Sequence, residues 1–156
     1  MKSKGILRWK LYVWLACVLT VCPVAARKFV HPGVLHTKVR MEQIRKLAED
    51  KDSEAYASFL LLKEHPCAQA DYKMEGPFET ISRDGSFGWT KSKMERDFSA
   101  AYLNALMWGI TGEEAHARKA AEVLTAYART LKRIPDTNDA PLLAGLEGFK
   151  IVYSLE

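Results

Sequence analysis

From Thr37 onward, apolar positions recur at helical spacing in four stretches, separated by short polar breaks. Thr37 is placed to cap a helix over "KVRMEQIRKLAED", with Met41, Ile44, Leu47 and Ala48 along one side. "DKDS" interrupts the pattern. Ser53 then offers a second cap, for "EAYASFLLLKEH", which Pro66 terminates. Residues 66–91 have no clear period and hold two prolines and three glycines. A loop of that length in a small domain is unusual and often functional; the plainer reading is a surface excursion. Ser92-x-x-Glu95 reads as a capping box opening "KMERDFSAAYLNALMWGI", in which almost every residue from Phe98 to Ile110 is apolar or small. Such a helix is enclosed on most sides.

A second capping box, Thr111-x-x-Glu114, with Gly112 easing the turn, starts the returning helix "EEAHARKAAEVLTAYARTLKRI". Ala117, Ala121, Leu124, Ala128 and Leu131 form its expected apolar face, and Pro135 is expected to close it. Asn138 and Asp139 favour a turn. Leu142 to Leu155 then begin a further helix despite Gly145 and Gly148, with no stop signal after Tyr153. The expectation is a truncated chain, ending within a helix whose apolar face needs further partners. No stretch alternates as a strand would. The expected fold class is all-α, with an inner, nearly enclosed helix paired to an outer, half-wet one.

The N-terminus changes how charge is read. Lys2, Lys4, Arg8 and Lys10 precede the apolar run "LYVWLACVLTVC" at 11–22, and Val24 and Ala26 suit a cleavage site. That is the pattern of a signal peptide over residues 1–26, with residues 27–156 as the mature part. The run is shorter than the roughly 20 residues that cross a bilayer, so no transmembrane segment is expected in the mature chain. The alternatives are a buried N-terminal helix and, as a minor one, lipoprotein anchoring at Cys22. The protein is therefore expected to be exported, periplasmic or secreted. Four of the 23 basic residues and none of the 19 acidic ones lie in the leader, so the mature part is formally neutral. Its charge is no nucleic-acid footprint, and no nucleic-acid partner is expected. Cys67 is then the lone cysteine, so no internal disulfide is available. No zinc-type spacing occurs, and no metal or cofactor is expected.

Several segments together carry a resemblance. "FVHPGVLHT" before a helix, "RDG" at 83–85, "AAYLNALMWGITGEEAHARKAAEVLTAYARTLKRI" and "AGLEGFK" resemble the N-terminal part of the alginate lyase-like polysaccharide lyases, over most of residues 29–153. The hairpin with its W-x-I-T-G turn is the most specific part. The resemblance implies an (α/α) toroid, with helical hairpins in inner and outer rings around a sugar-binding cleft. It implies an acidic polysaccharide partner such as alginate, cleaved by β-elimination. That chemistry neutralises the uronate carboxylate, removes the C5 proton and protonates the leaving oxygen.

The resemblance places Arg83 where a guanidinium would pair with a sugar carboxylate, with Trp89 nearby as a stacking platform. A solvated loop arginine and a loop anchor are the plainer readings. The Asn-Asn-His motif of that family does not occur in this sequence. No catalytic residue is therefore assigned, and residues 27–156 alone are expected to show no turnover. His31 and His36 are expected to order the leading turn, and His65 and His116 to lie on helix surfaces. Tyr102, Tyr127, Phe98 and Trp108 are expected in packing, and Arg118, Lys119 and Arg129 on a solvated face. The alternative functions are a helical-repeat interaction module and a non-catalytic remnant. Against the module, one step of about 34 residues back from the hairpin meets no second helix pair.

Overall fold

The computed structural model describes residues 35–135 and 140–155. The leader with Cys22, His31 and the turn at Asn138–Asp139 lie outside the described residues. Five α-helices are present among those described: α1 (Lys38–Glu49), α2 (Glu54–Glu64), α3 (Lys91–Thr111), α4 (Glu114–Thr130) and α5 (Ala140–Leu155). There is no strand among them, only an isolated parallel bridge between Thr80 and Arg133. The fold class is all-α, and no described helix is long and apolar enough to cross a membrane.

The first two caps form as expected. The Thr37 hydroxyl accepts the Arg40 N–H at 3.3 Å, and the Ser53 hydroxyl accepts that of Tyr56 at 3.1 Å. α3 is the axis of the fold, about 31 Å long at 1.5 Å per residue, and α1, α2, α4 and α5 all contact it. Met94, Phe98 and Ala101 of α3 meet Val123 and Tyr127 of α4, Leu143 of α5 and Ile81 of the long loop in one buried cluster.

Both capping boxes are corrected. A 3₁₀ turn, Gly85–Thr90, runs directly into α3, so Thr90 already has helical dihedrals and Ser92 lies inside the helix. With no extended residue before the first turn, no side chain is aimed back to cap it. At the other end α3 continues to Thr111, whose hydroxyl donates to the Met107 carbonyl at 2.8 Å and accepts the Glu113 N–H at 3.1 Å. Gly112 makes the turn at φ 75°, where a side chain would be strained.

The apolar face of α4 is also corrected. His116, Ala120, Val123 and Tyr127 are buried, while Ala121 and Ala128 are exposed. The inward face is turned by one residue because two polar partners on α3 draw it there. His116 Nδ1 lies 2.8 Å from Asn104 Oδ1, and the Tyr127 hydroxyl donates to Asp97 at 2.8 Å. His116 is thus an interior residue, not a surface one. α4 ends at Thr130, ahead of Pro135. Residues 131–134 are extended because the long loop supplies backbone partners: the N–H groups of Lys132 and Ile81 reach Glu79 O and Arg133 O at 2.9 and 3.2 Å.

The long loop is a built part of the core rather than a surface excursion. Asp97, fully buried, gathers it. One carboxylate oxygen accepts from the Tyr72 hydroxyl and the Glu75 N–H, both at 2.9 Å. The other accepts from the Gly76 N–H and the Tyr127 hydroxyl, both at 2.8 Å. Four donors satisfy a buried carboxylate with no counter-charge in contact. Gly76 has to be glycine, since a Cβ there would stand 2.5 Å from the Tyr127 hydroxyl oxygen. Nearby, Asn104 donates to the Cys67 and Ala100 carbonyls at 2.9 and 3.0 Å.

Candidate functional site

The other half of α3 borders open space. A groove of about 540 Å³ lies between α1, the last turns of α3 and the end of α5. α1 contributes Lys38, Met41, Glu42 and Arg45; α3 contributes Tyr102, Trp108 and Gly109; α5 contributes Tyr153; His36 precedes α1. That volume suits one or two sugar-sized rings.

One wall is aromatic. His36 Nε2 lies 3.1 Å from the Tyr102 hydroxyl, and the two rings are stacked at 6.2 Å between centroids. Tyr153 meets both at right angles or tilted, at 6.4 and 6.3 Å. Burial and the Arg40 charge lower the pKa of His36. Burial, then Tyr153, raises that of Tyr102. Both shifts favour the uncharged imidazole and the protonated phenol. His36 Nδ1 is buried and has no hydrogen-bond partner among the described residues.

Two cations, Lys38 and Arg45, also line the groove. Arg45 Nε donates to the Gly109 carbonyl, and among the described residues neither Arg45 nor Lys38 has a carboxylate partner. Glu42, on the same rim, is paired with Lys46 at 3.6 Å. Trp108 is 46 % exposed and lines this space, so it is not the packing residue expected from sequence. Chemically, the groove offers an apolar ring face, two uncommitted cations and a neutral donor–acceptor pair. That combination fits a polar ring bearing a negative charge. No group of three or more metal-ligating side chains occurs among the described residues.

The residues singled out from sequence lie elsewhere. Arg83 is half-buried in the long loop, and Trp89 sits in the 3₁₀ turn before α3. Neither lines the groove. Trp89 and Trp108 are 19 residues apart, about 28 Å if measured at the helical rise. Trp89 is 57 % exposed, edge-on to Phe78 at 5.2 Å, with Lys93 Nζ 5.4 Å from its ring centre. Phe78 and Lys93 thus already occupy one edge and one face of that indole. Cys67 is buried, and burial raises its thiol pKa, which suits an inert packed cysteine.

No family model, curated protein or solved structure matches the chain. Any functional reading therefore rests on the groove and on the resemblance in the sequence.

Sequence reasoning missed Arg45 altogether and assigned His36, Tyr102 and Trp108 to structural roles. His36, Tyr102 and Tyr153 are separated by 66 and 51 positions, and no local spacing announces that they meet. The available signal was Trp108, a large ring with a polar N–H near the end of α3.

Proposed function

We propose that this is an exported protein acting on an acidic polysaccharide, of the β-eliminating lyase type, and that the groove holds a uronate unit. One observation carries the reading: two cations without carboxylate partners among the described residues, an exposed indole and a His–Tyr pair line the same sugar-sized space. A uronate brings a carboxylate for the cations, since the rim's own Glu42 is paired with Lys46, and a ring face for Trp108. The His36–Tyr102 pair adds polar atoms that can hydrogen-bond the hydroxyl groups of a sugar.

The helical layers agree with this reading. α3 is enclosed and α4 half-exposed, as expected of an inner and an outer helix in an (α/α) toroid. Leu142, Leu146, Phe149 and Val152 form an exposed apolar row on α5, the kind of face on which stacked hairpins pack. The apolar leader at 11–22 supports export.

Binding is the first test. Titration with short oligouronates, followed by NMR, is expected to shift signals from His36, Arg45, Trp108 and Tyr153. No response to any uronate at millimolar concentration overturns the reading. In an assay following ultraviolet absorbance of the unsaturated product, residues 27–156 are expected to give no turnover, since the Asn-Asn-His set is absent from this sequence.

A further inference from the structure

We propose that Arg45 is the residue that reads the sugar carboxylate, and that Gly109 is the positioning residue that holds it in place. The assignment rests on the functional reading above and adds to it which side chain confers selectivity for an acidic over a neutral sugar.

The last carbonyls of a helix have no partner within it. α3 ends at Thr111, and the Gly112 N–H returns to Trp108 O at 2.8 Å, which leaves Gly109 O open. Arg45 Nε, from α1, fills that vacancy. A cation is also favoured at this end of the helix dipole. The bond uses one of the five guanidinium N–H donors and leaves the four on the terminal nitrogens. No described carboxylate takes them. The planar end of the group is therefore held, and is matched to two carboxylate oxygens.

What Gly109 supplies is its carbonyl: a Cβ at 109 would meet only Met41 Cε, at 2.7 Å, the end of a flexible side chain that can turn aside. Trp108 is the preceding residue, which sets the stacking face beside the carboxylate reader. Lys38 has no such anchor. It is exposed and carries a point charge on a flexible stem, so it contributes attraction without geometry.

Isothermal titration of the full chain with a β-1,4-linked oligoglucuronate and with the matching neutral cello-oligosaccharide tests the assignment. Wild type is expected to favour the uronate about tenfold or more. Arg45→Met is expected to bring the two affinities together by weakening the uronate alone, and Arg45→Lys to keep part of the preference. Arg45 is exposed, so the fold is expected to survive both changes, as circular dichroism would show. Lys38→Met is expected to cost less than Arg45→Met. A preference intact in Arg45→Met, or one lost in Lys38→Met instead, overturns the assignment while leaving the functional reading standing. A wild-type chain that binds neither sugar overturns both.

Discussion

The two ends of α3 solve different problems with similar residues. At the N-terminal end, Asp97, Tyr72 and Tyr127 spend every polar atom on one another and on the loop backbone, and Trp89 is flanked by Phe78 and Lys93. At the C-terminal end, Arg45 and Lys38 have no carboxylate partner among the described residues, and Trp108 lines open space. A satisfied network specifies the fold, while an unsatisfied one beside a cavity waits for a ligand. By that contrast, changes at the first end should alter stability and changes at the second should alter binding.

The largest effect is expected from Asp97→Ala, which strands two phenols and two backbone N–H groups. A stability loss of about 3 kcal/mol or more is expected in urea titration, and an unchanged midpoint would break the contrast. Asn104→Ala removes the link between His116 and the Cys67 carbonyl and should cost about 2 kcal/mol by the same measurement.

Alkaline pH should act at the first end. Burial and the hydrogen bonds to Asp97 raise Tyr72 and Tyr127 above their ordinary value of 10.0. Above pH 10 the unfolded chain sheds those protons while the folded one keeps them. Stability therefore falls as pH rises beyond 10, and Tyr72→Phe should flatten that slope. Acid acts at the groove with a smaller effect. His36 is lowered from 6.5 by burial and then by Arg40, so the unfolded chain takes up its proton first. Stability is lost as pH falls below 6.5, and His36→Gln should reduce that loss. Trp108→Ala should change stability least, by about 0.5 kcal/mol or less as expected of a half-exposed surface residue.

The helices themselves were readable because they rest on local patterns. The enclosed run 98–110, the Gly112 turn and the caps at Thr37 and Ser53 each depend on neighbours a few positions away. The errors came from contacts distant in sequence. Asn104 and Asp97 draw the polar side of α4 inward, against the pattern of its alanines, and periodicity cannot register a buried histidine that has a partner 12 residues away. Ser92 failed as a cap because the loop enters α3 already wound, a property of the loop's own turn. The groove was illegible for the same reason: its walls come from α1, α3 and α5, and its cations stand out because the carboxylate on that rim, Glu42, is paired with Lys46.

The central claim is that the groove at Trp108, and not the loop at Trp89, receives an acidic sugar. The most direct test follows the indole N–H signals of both tryptophans by NMR during titration with oligoglucuronate, assigned through Trp89→Phe and Trp108→Phe. The Trp108 signal is expected to move and the Trp89 signal to stay. Movement of Trp89 alone, or of neither, would contradict it.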